Sequence, residues 1–112
     1  MRGIFEYNFP AFDEAERRIR LAFPLAEIFN PAENDRRRGF DERGKPGDEP
    51  LSREFLRQSM ADDLFWISKH ATHLVLLPGW ERSKGAEVEI LAARLVGVEV
   101  VELDAFVGRA VE

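Results

Sequence analysis

The stretch HLVLLPGWERSKGAEVEILAARLVGVEVVEL, residues 73–103, decides the fold. Residues 73–77 form a strongly apolar run suited to a buried parallel strand. The turn Pro78-Gly79-Trp80-Glu81-Arg82-Ser83-Lys84-Gly85 follows it. Residues 86–96 then carry apolar side chains at helical spacing, and Gly97 ends the helix. Residues 98–103 read as another strand. Strand, helix and strand in this order imply parallel strands joined by a crossover, and such sheets bind ligands at the C-terminal ends of their strands.

Upstream, residues 10–22 place Phe12, Ala15, Ile19 and Ala22 at helical spacing, with Asp13, Glu14, Glu16, Arg17, Arg18 and Arg20 between them. This is an amphipathic helix with proline in its first turn. Residues 25–29 suggest a short buried strand, stopped by the turn Asn30-Pro31. Residues 33–50 are dense in Asp, Glu, Arg, Gly and Pro without any period, which predicts a long mobile loop. Ser52 is placed to cap a helix running to about His70, with Leu56, Met60, Leu64 and Ile67 inward. Alternating helices and strands make the chain an α/β protein, and 112 residues form one domain around one core.

A net charge of −5 argues against nucleic acid polymers as partners, while leaving room for a small anionic ligand at a local basic patch. The absence of cysteine excludes disulfides, thiolate nucleophiles and cysteine-ligated metals. No apolar run approaches the roughly 20 residues that span a bilayer, so no membrane partner is expected. The N-terminus lacks the layout of a signal peptide, and the expected location is cytoplasmic.

Two carboxylates fall where periodicity asks for apolar residues. At roughly 100° per residue, Glu87 and Arg94 share one polar face of the third helix, whereas Glu89 lies on the other side, between Ala93 and Val96. Glu89 therefore points toward the sheet, either into a site or to the rim of the apolar face. On the second helix, Asp63 lies inside the arc of Leu56, Met60 and Ile67, with Asp62 at its edge. Two carboxylates converging on one cleft are the minimum equipment for glycosidic-bond chemistry, one as nucleophile and the other as orienter or general acid. Ser83, Gly85 and the first amides of the third helix form either a phosphate cradle or an ordinary strand-to-helix loop, with Arg82 and Lys84 adding positive charge nearby.

Asp63-Leu64-Phe65-Trp66, the strand at 73–77 and Ser83-Lys84-Gly85-Ala86-Glu87-Val88-Glu89 together resemble the core of the nucleoside 2-deoxyribosyltransferase-like superfamily, including the 2′-deoxynucleoside 5′-phosphate N-hydrolases. The segments Glu6-Tyr7-Asn8-Phe9-Pro10-Ala11-Phe12, Asn30-Pro31-Ala32-Glu33 and Leu77-Pro78-Gly79-Trp80-Glu81 are similar to phage-encoded relatives of that superfamily, so the resemblance spans nearly the whole chain. It implies a three-layer flavodoxin- or Rossmann-like parallel sheet flanked by helices. It also implies cleavage or transfer of the N-glycosidic bond of deoxynucleoside 5′-monophosphates or deoxynucleosides, without cofactor or metal. Glu89 matches the nucleophile that forms a glycosyl-enzyme, and Asp63 matches the acid that binds the sugar and assists departure of the base. Ser83 and Arg2 match positions that hold the 5′-phosphate. Asn30, Gly85 and Trp80 complete the expected binding set.

The family opens with an apolar central strand ending in a Gly-Pro-Met-like turn and carrying a tyrosine. This chain begins at Met1-Arg2-Gly3, and its only tyrosine, Tyr7, matches a later position. The first central strand is therefore expected to be missing, through a late start codon or true loss. Its absence would expose strand edges and favour a homodimer or higher homo-oligomer. It also keeps open a non-catalytic nucleotide-binding module or a self-associating protein derived from the family.

Other residues carry two readings each. His70 and His73 are polar boundary residues or, with no third ligand nearby, an incomplete metal pair. Trp66 is most simply core. Trp80 either stacks on a base or packs a lid. Arg36-Arg37-Arg38 form a solvated face or gather phosphate.

Overall fold

The computed structural model describes residues 9–39 and 53–111. Helix α1 (Phe9–Ala22) buries Phe9, Phe12, Ala15 and Ile19, the stripe that its periodicity sets. Helix α3 (Arg53–Lys69) buries Ser59, Asp63 and Ile67, one residue per turn. Leu56, Met60 and Leu64, expected inward with them, are half-buried along one side of that stripe. Ser52, the expected cap of α3, lies outside the described residues.

Strand β1 (His73–Leu76) pairs in parallel with β2 (Glu99–Glu102), Leu74 opposite Val100 and Leu76 opposite Glu102. Both are shorter than their apolar runs. Helix α4 (Lys84–Leu95) connects them, and α5 (Leu103–Gly108) follows β2 directly. A small parallel sheet with flanking helices is an α/β architecture. Leu74 and Val100 pack with Ile67, Ala93 and Val98 from the α3–α4 side. Val75 and Leu77 join Ala15, Ile19, Leu103 and Phe106 from the α1–α5 side. Alternate residues of β1 thus feed two different clusters, as a period of two requires.

Two expectations fail. Residues 25–29 are not a strand: Leu25 is wholly exposed, and residues 26–30 form no ladder. Ala26, Ile28 and Phe29 are half-buried and Asn30 is buried, with Glu27 exposed, so the segment lies against the body of the fold without the alternation or the hydrogen-bonding neighbour of a strand. A cavity lies between this segment and β1.

Residues 33–37, expected as loop, belong to α2 (Pro31–Arg37). Asn30 caps this helix: its Oδ1 accepts from the Ala32 amide at 2.9 Å and the Glu33 amide at 3.4 Å, with Pro31 at the first helical position. The same two residues that read as a strand-ending turn are a helix start. Helix α2 is bolted to α3 by a buried polar relay. Arg38 donates to Ser59 Oγ, Ser59 donates to Asp35 Oδ1 at 2.8 Å, and Arg38 also donates to the Phe55 carbonyl at 3.2 Å while lying over the Phe55 ring. Asn34 donates to Asp62 at 2.9 Å beside it. The rest of the expected loop, from residue 40 to residue 50, lies outside the described residues.

Candidate active site

Asp63 on α3 and Glu89 on α4 are 4% and 6% exposed, and both line one cavity of about 670 Å³. Helical periodicity turns each acid inward, and the packing of α3 against α4 brings the two helices together. The cavity runs along β1 from His73 to Leu77. Its wall toward α1 and α5 is apolar, formed by Ala15, Ile19, Phe23, Ile28 and Phe106. Asp63, Ser83 and Glu89 line it as well, together with Pro78, Gly79 and Trp80 of the turn that follows β1.

The turn is shaped by Gly79 at φ +91°, a left-handed conformation that favours glycine. It leads into the short 3₁₀ helix Trp80–Arg82 and then to Ser83 in extended backbone. Ser83 is 6% exposed and caps α4, its Oγ accepting from the Ala86 amide at 3.1 Å. Capping uses a lone pair, so the hydroxyl keeps its hydrogen to donate. The Glu87 amide bonds the Ser83 carbonyl at 3.2 Å. The amides of Lys84 and Gly85 are first-turn groups for which a helix supplies no internal partner. Gly85 itself does not line the cavity.

Asn30 lines the cavity and is buried, but its side chain bonds within the fold. Besides capping α2 it donates to Asp13 at 3.1 Å and Glu16 at 3.0 Å, tying α1 to α2. Arg2 lies outside the described residues, as does Tyr7. Of the other arginines, Arg36 pairs with Asp13 at 2.8 Å and Arg38 with the buried relay, so these two serve the α1–α2–α3 junction.

Sequence reasoning missed an aromatic wall. Phe29 stacks on Trp66 with ring centroids 5.4 Å apart, Trp66 lies 5.2 Å from His70, and all three line the cavity. Trp66 was assigned to the core, yet it stands three residues after Asp63 and shares its face of α3; that spacing was the available signal. His73 lies at the opposite end of β1. Its Nε2 is 3.4 Å from Glu99, whose carboxyl Arg109 holds below the usual carboxylate range through a hydrogen bond. Among the described residues, no three His, Cys, Asp or Glu side chains gather to hold a metal ion, and no helix is long and apolar enough to cross a membrane.

These features define an α/β domain with two buried carboxylates lining one cavity beside a parallel strand. The family model described as domain of unknown function (DUF4406) matches residues 1–102, and the chain belongs to that family. No curated protein and no solved structure matches the chain.

Proposed function

We propose that the chain cleaves or transfers the N-glycosidic bond of 2′-deoxynucleoside 5′-monophosphates or deoxynucleosides through a covalent intermediate on Glu89. The observation that carries this reading is the shared cavity of Asp63 and Glu89, two buried acids from different helices. In the first step a Glu89 carboxylate oxygen bonds C1′ as the C–N bond breaks. The electron pair leaves with the base, which takes a proton from the Asp63 carboxyl as that acid orients the sugar and assists departure, and the water of the second step returns the proton to Asp63. Water then attacks C1′, releasing the sugar and regenerating the carboxylate; a second base in place of water completes a transfer.

Ser83 and the first amides of α4 suit the 5′-phosphate, because a helix N-terminus favours anions. The family resemblance adds Arg2 to this phosphate-holding set. Trp80 and the Phe29–Trp66 pair offer ring faces to a base. The cavity size falls within the roughly 300–1,000 Å³ typical of small-molecule sites.

The finer fold belongs to the same reading. The two strands are part of a wider three-layer flavodoxin- or Rossmann-like sheet, in which an added strand along the outer edge of β1 would give residues 26–30 a ladder. The burial of Ala26, Ile28, Phe29 and Asn30 along a cavity that also borders β1 supports it. The working state is a homodimer or higher homo-oligomer.

The test incubates the purified protein, and the Glu89→Ala variant, with deoxynucleosides and their 5′-monophosphates and follows free base by chromatography. Release that vanishes in the variant supports the glycosidic reading. Binding of a nucleotide without release replaces it with a non-catalytic binding module.

A further inference from the structure

Helix α4 has two faces of opposite use. Ala86, Glu89, Ile90 and Ala93 are buried, whereas Val88, Leu91 and Leu95 are 46%, 64% and 86% exposed. These three apolar side chains are spaced three and four residues apart and form one stripe. Ala92, small and half-buried, lies beside it. With Leu91 at the centre of the stripe, Val88 and Leu95 lie on one flank, while exposed Glu87 and Arg94 lie on the other.

We infer that this face of α4 is the interface with a second copy of the chain, the two helices packing antiparallel about a two-fold axis beside Leu91. Such an axis reverses the helix direction, so residues after Leu91 face the partner's residues before it, and it keeps each flank facing the same flank. Leu91 meets the partner's Leu91. Leu95 meets the partner's Val88, and Arg94 meets the partner's Glu87. The apolar pair and the charged pair each span two helical turns, and both are centred within half a residue of Leu91. One operation therefore satisfies both. A parallel two-fold pairing would instead turn each flank toward the other flank of the partner, setting Glu87 and Arg94 against the partner's Val88 and the partner's Leu95 with no opposite charge to meet. This interface rests only on the self-association in the functional reading, and it places the helix that carries Glu89 at the axis.

The test measures mass and dissociation constant by sedimentation equilibrium for the wild type, Glu87→Arg, Arg94→Glu and an equal mixture of the two variants. The wild type should be a dimer. Each reversal sets like charges together on both sides of the axis and should raise the dissociation constant about tenfold or more. The mixture should recover the dimer, because every cross-pair is then Arg against Glu, and that recovery also shows that both variants are folded. A monomeric wild type overturns the inference, as does a dimer indifferent to the reversals or a mixture that fails to recover. Base release is read separately, so its loss or survival bears on the glycosidic chemistry alone.

Discussion

Ser59 donates its hydroxyl hydrogen to Asp35 at 2.8 Å, and the two side chains, 0% and 4% exposed, are the buried link between α3 and α2. Arg38 completes the relay by donating to Ser59. Ser59→Ala removes a donor from a carboxylate that water cannot easily reach. It should cost about 1–3 kcal/mol, read as a lower urea midpoint with an unchanged denaturant slope.

Glu89→Gln and Asp63→Asn keep side-chain shape and remove a charge each. If the glycosidic reading holds, Glu89→Gln should lower base release by about a thousandfold or more, since no nucleophile remains. Asp63→Asn should slow release while leaving nucleotide binding measurable by calorimetry. Wild-type rates in both variants would end the assignment of either acid to the chemistry.

The Arg36 guanidinium, hydrogen-bonded to Asp13, holds that carboxyl below the usual range, and the Asn30 amide adds to the effect against the opposing pull of burial. A carboxyl whose folded pKa is depressed stabilises the fold above its unfolded value, about 3.9, and loses that contribution as pH falls through the folded one. Asp13→Asn should therefore lower the melting temperature at neutral pH. The gap to wild type should shrink as the solution is acidified below about pH 4. Because the Asp13 side chain is 45% exposed, the loss belongs to the surface-pair scale of about 0.2–1 kcal/mol.

Gly79 and Gly97 both hold positive φ, +91° and +81°, but their surroundings differ. An added Cβ at Gly97 meets nothing within 4 Å, whereas at Gly79 it comes to 3.0 Å from the Arg82 guanidinium. Gly97→Ala should cost about 1–2 kcal/mol, the left-handed penalty alone. Gly79→Ala should cost at least as much and also push Arg82 aside, disturbing the turn that carries Trp80. Thermal unfolding compares the two, and nucleotide affinity should fall only for Gly79→Ala.

The inward turn of Asp63 and Glu89 was legible because a carboxylate inside an apolar arc stands out against a period of 3.6. The two strands were legible as apolar runs bounded by turn residues. Residues 25–29 misled because a short, partly apolar stretch before Asn30-Pro31 has the look of a strand, and only a neighbouring strand, a long-range matter, turns such a stretch into a ladder. Helix α2 was invisible since seven residues hold too few turns to show a period, and Asn30-Pro31 signals both a turn and a helix start. Asn30 read as a ligand-binding residue for a related reason: its partners Asp13 and Glu16 lie on α1, 17 and 14 positions away.

The division of β1 between two clusters has a consequence for how the chain can vary. Leu74 answers to α3 and α4, while Val75 answers to α1 and α5. Substitutions in one cluster that share no partner with the other should combine nearly additively. The strand is a partition wall for packing, yet the cavity is lined by Asp63 and Glu89 and also by Ala15, Ile19 and Phe106 of the α1–α5 cluster, so relatives should vary least at the cavity and most at the residues of each cluster that lie outside it.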